Sequence, residues 1–200
     1  MISLIGLIAQ SSGFDFSVES GVGLTIRMAG VPIVRGRWFP YYEPDWSKGY
    51  YSSAGQKQEV STLPDGTIRV EFKSGDGQAQ GWQTFKKVPG GLEAHYRFEW
   101  TGPKPVRIEA AIGQLWAPAV GDRKFSSDAG ESEIKPFAEV SGTEAQRRYF
   151  EASKTLSFQN GLGKVALSSD LPFSMFDARN GYGQEWADGK QLLWMGHLGR

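Results

Sequence analysis

The chain has 200 residues, with 22 basic and 22 acidic side chains, 26 glycines, 13% aromatic residues and no cysteine. A chain of this length buries about 70% of the surface that it exposes when unfolded, so it can fold without a metal or a disulfide. The balanced charge argues against nucleic acid as a partner. The lack of cysteine excludes a disulfide framework, a thiolate metal site and a cysteine nucleophile.

The first ten residues allow two interpretations. Residues 2–8 are mostly apolar and are followed by Ala9 and Gln10, which resembles the end of a secretory signal peptide and its cleavage zone. The stretch lacks a basic n-region and is short for a complete signal peptide. Residues 1–10 are therefore either the remnant of a signal peptide or a first, buried strand. No run in the sequence approaches the roughly 18 apolar residues that a membrane-spanning helix needs.

Apolar and polar residues alternate between turn signals along the whole chain, which is typical of short antiparallel strands. The clearest turn is Pro64, Asp65 and Gly66, where proline presets φ, aspartate caps the turn and glycine takes the left-handed position. Residues 143–148 fit one helical turn. The pattern predicts an all-β fold, an antiparallel β-sandwich, in a single domain over residues 1–200. We predict strands over residues 14–18, 22–28, 31–34, 56–63, 67–73, 81–88, 92–100, 106–112, 131–140, 149–158, 163–167, 171–176 and 192–195.

The last predicted strand, residues 192–195, is strongly apolar and lies close to the end of the sequence. A sandwich needs a further strand to cover such an apolar edge. We therefore hypothesise that the chain is a module of a longer polypeptide.

An aromatic segment over residues 37–51 is the strongest local feature. Its prolines favour a loop or an edge strand, and loops run over the surface. Sugar rings pack their C–H faces on aromatic rings, while carboxylates and guanidinium groups bind their hydroxyls. The segment is therefore a candidate ligand surface, unless its rings plug one end of the sandwich. The candidate ligand-binding residues are Trp38, Tyr41, Tyr42, Glu43, Asp45, Trp46 and Tyr50, with Arg37 beside them.

A second aromatic group lies towards the C-terminus, and most of it is expected to belong to the core. Tyr182 and Trp186 are further candidates for the ligand surface. The group comprises Phe173, Phe176, Tyr182, Trp186 and Trp194, interleaved with Asp177, Arg179, Glu185 and Asp188.

The inventory for catalysis is small. Glycoside hydrolysis needs two carboxylates roughly 5 to 9.5 Å apart, and nothing in the sequence selects a pair from Glu43, Asp45, Glu185 and Asp188. His95 alternates with apolar residues and is expected to point outward with its neighbours. With two histidines and no nucleotide or calcium motif, the sequence predicts no metal and no cofactor.

Two stretches resemble known families. Residues 92–120 are similar to a strand pair of galactose-mutarotase-like supersandwich domains, with a long alternating strand, a turn, a second strand and a proline-bearing loop. Residues 188–196 are similar to the closing strands of β-sandwich modules in large secreted carbohydrate-active enzymes. The resemblance implies a secreted or periplasmic accessory domain whose partner is carbohydrate or an adjacent domain. The catalytic glutamate and histidines of mutarotases cannot be matched to residues of this sequence.

Three hypotheses follow from these observations. The first is a non-catalytic carbohydrate-binding or accessory domain associated with a glycoside hydrolase-like protein. The second is a glycoside hydrolase or sugar epimerase that uses paired carboxylates in a deep cleft. The third is a structural module with a flat aromatic interdomain contact.

Overall fold

The computed structural model describes residues 2–10, 13–20, 23–36, 41–45, 49–50, 56–136, 139–140, 148–177, 179 and 192–199. Within these ranges the chain forms sixteen strands and two short 3₁₀ turns, at Ala117–Ala119 and Gly121–Arg123. None of the helical turns in this part of the chain is long and apolar enough to cross a membrane. The strands are β1 (Ile2–Gln10), β2 (Phe14–Glu19), β3 (Gly23–Met28), β4 (Val31–Arg35), β5 (Tyr41–Tyr42), β6 (Gly49–Tyr50), β7 (Gln56–Thr62), β8 (Ile68–Ser74), β9 (Ala79–Val88), β10 (Gly91–Trp100), β11 (Arg107–Trp116), β12 (Lys124–Ser127), β13 (Gly130–Glu133), β14 (Arg148–Asn160), β15 (Gly163–Asp177) and β16 (Leu192–Gly199).

The described strands pair in antiparallel fashion throughout. Hydrogen bonds connect them in the order β2-β3-β4-β11-β16-β15-β1-β10-β9-β8-β7. The β5–β6 hairpin joins this series at β11, and β12 pairs with both β13 and β14. The architecture is a β-sandwich. Its two halves, β2-β3-β4-β11-β16 and β1-β10-β9-β8-β7, meet at β15.

Strand β15 belongs to both halves. Its residues 164–167 pair with β1, and its residues 174–177 pair with β16. Strand β14 runs beside it and changes register at several points between residues 148 and 155. Such irregularities bend and twist a strand pair, so the long β14–β15 hairpin can pass from one layer of the sandwich to the other.

One core joins the two halves. Buried side chains from β3 and β4 belong to the same cluster as those from β8, β9 and β10. Phe173 and Met175 of β15 are 1% and 0% exposed at the centre of this cluster. Phe150 packs edge-on against Phe173, with 5.5 Å between the ring centroids. Because the buried faces alternate along the strands, the opposite faces carry the polar side chains.

The sandwich prediction is confirmed, and the ends of β2, β3, β4, β7, β8, β9 and β10 lie within two residues of the predicted ones. Residues 2–10 form a strand between β10 and β15, in agreement with the strand interpretation of this run. The predicted turn at Pro64 to Gly66 is also present, because Asp65 Oδ1 accepts the Thr67 N–H at 3.1 Å and Gly66 has a φ of 82°.

Several local predictions are wrong. The predicted break at residues 168–170 does not end the strand, because β15 is continuous from Gly163 to Asp177. Its pairing with β14 is irregular there, since Ser168 pairs with Thr155 and the next paired residue of β15 is Phe173. Strand β12 was not predicted, and β13 is shorter than the predicted strand over residues 131–140. The predicted helical turn lies largely outside the described residues. The final strand β16 is not an unpaired edge, because β11 and β15 lie on either side of it.

Gly81 of β9 illustrates how tightly the sheet faces are packed. It lies opposite Phe72 of β8 and Phe98 of β10, whose rings stack with centroids 5.9 Å apart. A Cβ at this position would lie 2.6 Å from the Phe72 ring and would overlap the backbone oxygen of Arg97. The two phenylalanine rings therefore depend on the missing side chain.

We predict that Gly81→Ala lowers the free energy of unfolding by about 1–3 kcal/mol, the usual cost of overpacking a well-packed site. Urea denaturation followed by tryptophan fluorescence measures it. Gly161→Ala is the matched control, because a Cβ there meets no atom within 4 Å, and its effect should stay within about 0.5 kcal/mol. Equal midpoints for the two variants would contradict the packing described here.

Candidate functional site

The aromatic segment predicted as a ligand surface is only partly described. Tyr41 and Tyr42 form β5, and Tyr50 pairs with Tyr41 from β6. The hairpin is attached to the sheet through Arg107 and Ile108 of β11, so its position at an edge agrees with the sequence analysis. The function of this segment stays a prediction. Of its other candidate residues, Glu43 is half-buried and Asp45 is exposed, while Trp38 and Trp46 lie outside the described residues.

The second aromatic group is also only partly described by the structure. Phe173 and Phe176 are buried, 1% and 8% exposed, as the core interpretation predicts. Trp194 lies on β16. The remaining candidates, Tyr182, Glu185, Trp186 and Asp188, lie outside the described residues.

A cleft of about 420 Å³ lies on the outer face of β7 to β10. Ala79, Gln83 and Phe85 of β9 are buried, so the alternation of the strand turns Trp82 to the opposite face. There Trp82 is opposite Glu71 of β8 and Arg97 of β10. We call this site the Trp82 cleft, and its lining includes Glu59, Glu71, Lys73, Gln80, Trp82, Arg97 and Glu99.

The polar side chains of the Trp82 cleft form a connected set. Gln80 Nε2 donates to Glu99 Oε2 at 2.8 Å, and Arg97 forms an ion pair with the other Glu99 oxygen. The hydrogen bond from Gln80, together with the hydrogen bond and the charge of Arg97, lowers the pKa of Glu99. Glu99 is therefore held as a carboxylate that accepts hydrogen bonds.

The indole ring of Trp82 is supported from outside the cleft. The guanidinium of Arg69 lies 5.2 Å from the ring centroid, a cation–π distance, and Arg69 does not line the cleft. Arg69 Nε also donates to Glu71 at 2.8 Å. The site thus combines a supported aromatic ring with a carboxylate, an amide and a guanidinium group.

Trp82 was not among the candidate residues taken from the sequence. In the predicted strand over residues 81–88 both faces mix polar and apolar side chains, so the alternation does not show which face is turned outward. The expected outward orientation of His95 on the neighbouring strand is confirmed, with its Nε2 3.0 Å from Glu93 and both side chains 35% exposed.

A second polar cluster is buried at the end of β15. Asp177 and Arg179 are 1% and 8% exposed and form a two-point ion pair, with Nε–Oδ1 at 2.8 Å and Nη2–Oδ2 at 2.6 Å. The Tyr149 hydroxyl donates to Asp177 at 2.8 Å and accepts the Lys135 N–H at 3.0 Å. Arg179 also donates to the Lys135 carbonyl at 2.6 Å. The cluster ties β14, β15 and the segment after β13 together.

The protonation states in this cluster are fixed by its surroundings. Burial is the main reason that the pKa of Tyr149 is raised, and the adjacent Asp177 carboxylate raises it further. For Arg179 burial acts in the opposite direction, but the hydrogen bonds and charge of Asp177 outweigh it and its pKa is raised. Both shifts favour a protonated tyrosine and a charged arginine, the states that the hydrogen bonds of the cluster require.

The described residues contain no group of three or more His, Cys, Asp or Glu side chains placed to hold a metal ion. In the Trp82 cleft, Glu99 is paired with Gln80 and Arg97, and Glu71 is paired with Arg69. These polar groups and the indole ring can offer hydrogen bonds and a ring contact to a ligand.

We predict that Asp177→Leu lowers the free energy of unfolding by about 3–5 kcal/mol, because it leaves the Arg179 charge buried without its partner. The double variant Asp177→Leu/Arg179→Met should lose less than the single variant, since it removes both charges. Urea denaturation at pH 7 compares the two. A double variant that is less stable than Asp177→Leu would show that the ion pair is not what makes the single substitution costly.

The chain matches no family model, no curated protein and no solved structure. Its resemblance to galactose-mutarotase-like supersandwich domains stays a prediction, and its function has to be inferred from the described side chains.

Proposed function

We propose that the chain is a non-catalytic carbohydrate-binding β-sandwich domain and that the Trp82 cleft is a binding face. The observation that carries the proposal is an outward-facing tryptophan between a glutamate and an arginine, Glu71 and Arg97. The C–H face of a sugar ring packs on the indole, and the hydroxyls at its rim bind to the surrounding polar groups. This is the combination that the sequence analysis sought in residues 37–51.

The cleft supplies both kinds of hydrogen-bonding group. The Glu99 carboxylate accepts hydrogen bonds and the Arg97 guanidinium donates them, while the Gln80 amide can do both. Each sugar hydroxyl donates one hydrogen bond and accepts others, so alternating donors and acceptors suit it better than a single charge would. Arg97 and Glu99 are 48% and 36% exposed in their side chains, which leaves part of each accessible to a ligand.

The contact of Arg69 with the Trp82 ring also favours the proposal. Arg69 packs on the indole, and β9 is paired on both sides, by β8 and β10. Side chains held in their bound positions lose little conformational entropy when the ligand arrives. A sheet face of this kind binds a sugar without rearrangement of its backbone.

The charge state of Glu99 argues against Glu99 as the general acid of a glycoside hydrolase. A glycoside hydrolase needs a carboxylic acid with a raised pKa to protonate the leaving group, whereas the pKa of Glu99 is lowered. The paired-carboxylate hypothesis based on Glu43, Asp45, Glu185 and Asp188 stays open as the alternative. The setting that the resemblance implies is an extracytoplasmic accessory domain of a glycoside hydrolase-like protein.

The structural-module alternative requires a contiguous apolar patch. The large apolar side chains exposed in the described residues are Val60 on β7, Leu162 in the β14–β15 turn and Leu171 on β15. They lie on three different elements, and single exposed apolar residues are normal on protein surfaces. The Trp82 cleft is polar around its ring, which fits a sugar better than an apolar domain surface.

We predict that Trp82→Ala weakens binding by about tenfold or more, because the loss of an aromatic hot spot costs more than about 1.4 kcal/mol. A glycan-array screen identifies a ligand, and isothermal titration calorimetry measures its affinity for the wild-type chain and for the variant. Thr84→Ala is the matched control, since it alters the next outward residue of β9 outside the cleft. Circular dichroism verifies that both variants are folded.

The outcomes separate the hypotheses. Unchanged affinity of Trp82→Ala, with loss of binding in Trp38→Ala or Trp46→Ala, would transfer the site to the aromatic segment of residues 37–51. No binding of the wild-type chain to any glycan would refute the carbohydrate-binding function itself.

A further inference from the structure

A second, larger groove of about 870 Å³ opens between β12 and β14. The two strands pair only at Ser126 with Ser157 and at Ser127 with Leu156. The remaining residues of β12 have no backbone partner on β14, and Lys124, Phe125, Phe158 and Gln159 line the groove there. The β12–β13 hairpin forms one wall, while the end of β14 and the start of β15 form the other. We call this site the β12–β14 groove.

At one end of the groove, Asp128 in the turn of the β12–β13 hairpin forms hydrogen bonds with β14. Its carboxylate accepts the Lys154 N–H at 2.7 Å and the Thr155 hydroxyl at 2.5 Å. Its own N–H donates to Ser153 Oγ at 3.0 Å. The hairpin is thereby fixed on β14 at the point where β14 changes register.

At the other end, Asn160 in the β14–β15 turn forms hydrogen bonds that hold this turn in place. Its Nδ2 donates to the Ala119 carbonyl at 2.5 Å, and its Oδ1 accepts the Leu162 N–H at 2.8 Å. A Cβ on Gly121 would overlap the Gln159 backbone oxygen, so the segment after β11 packs directly on this turn. Both walls of the groove are therefore preorganised.

The backbone is strained beside the groove, at Asp122 and Arg123. Asp122 and Arg123 are consecutive non-glycine residues with φ of 52° and 57°. Such conformations cost about 1–3 kcal/mol each and persist where the surroundings fix them, often at ligand sites. Here an ion pair of Arg123 with Glu133 at 3.0 Å and a hydrogen bond from Ile134 N to Arg123 O hold them in place.

The groove has no strong excess of charge. Its lining carries three acidic side chains, Asp122, Glu131 and Glu133, and two basic ones, Lys124 and Lys164. Arg123, which lies outside the lining, forms an ion pair with Glu133. A site for a polyanion or a polycation would carry an excess of the opposite sign. Ser126, Ser132, Ser157 and Gln159 add neutral donors and acceptors to the same walls.

We propose that the β12–β14 groove is a second binding site, which takes an uncharged, hydroxyl-rich oligosaccharide. It shares no residue with the Trp82 cleft and is independent of it. Three strands, β15, β1 and β10, lie between β14 and β9 in the hydrogen-bonded order, so the two sites lie on different parts of the domain. Two sites on one rigid domain allow a polysaccharide to be bound at both, with a gain in avidity.

The test is NMR titration of the full chain with neutral hexasaccharides (cello-, xylo-, manno- and malto-hexaose), with hexagalacturonate as the anionic comparison. We expect at least one neutral hexasaccharide to shift the amide signals of residues 131–133 and 157–161. The double variant Gln159→Ala/Lys164→Ala should weaken binding at these signals about tenfold or more. Lys154→Ala is the matched control, because it removes an exposed lysine of β14 that does not line the groove.

The Trp82→Ala variant distinguishes this inference from the proposed function. Groove signals that still shift in that variant support a second, independent site, even if the Trp82 cleft itself binds nothing. Shifts confined to the residues around Trp82 would overturn the inference while leaving the proposed function in place. Tighter binding of hexagalacturonate than of every neutral hexasaccharide at the groove would also overturn it.

Discussion

The sandwich depends on the pairing of β15 with three other strands. Its residues 173–177 are all buried, so this part of the strand is covered on both faces. A strand in that position must satisfy every backbone group through its neighbours, which β14 and β16 provide. A charged side chain at such a position needs an equally buried partner. Asp177 occupies it, and the ion pair with Arg179 and the hydroxyl of Tyr149 are the consequence.

The strands could be predicted wherever burial follows the local alternation. Strand β10 is the clearest case, since Leu92, Ala94 and Tyr96 are buried in the order that the sequence indicates. The serines at 168 and 169 carry a local turn signal, but Ser169 is 6% exposed inside a continuous strand. The strand continues past Leu167 because Ser168 pairs with Thr155 of β14, and a single sequence contains no record of which strands become neighbours. The position of β16 between β11 and β15 was hidden for the same reason.

The kinds of side chain in the candidate site could be predicted from the sequence, but the residues that supply them could not. The sequence analysis sought aromatic rings beside carboxylates and guanidinium groups, and it found them where they are concentrated, in residues 37–51. In the Trp82 cleft the same groups come from four strands and are far apart in the sequence: Glu59, Glu71, Trp82 and Arg97. Only the register of β7 to β10 brings them together. The sequence of β9 gave no local indication, because both faces of residues 81–88 mix polar and apolar side chains.

The two candidate sites differ in how completely the strands around them are paired through backbone hydrogen bonds. Around Trp82 the ladder is complete on both sides of β9, so ligand contacts can come only from side chains that project from a continuous face. Between β12 and β14 the ladder stops after two residue pairs, and the groove lies beside the residues that have no partner. Asp128 forms a hydrogen bond with β14 near one end of this pair, and Asn160 connects the other end of β14 to Ala119. A complete sheet favours a shallow site that contacts one side of a ligand, whereas an interrupted one creates a groove with two walls. A domain that combines the two can bind one stretch of a chain-like ligand on its face and another between its strands.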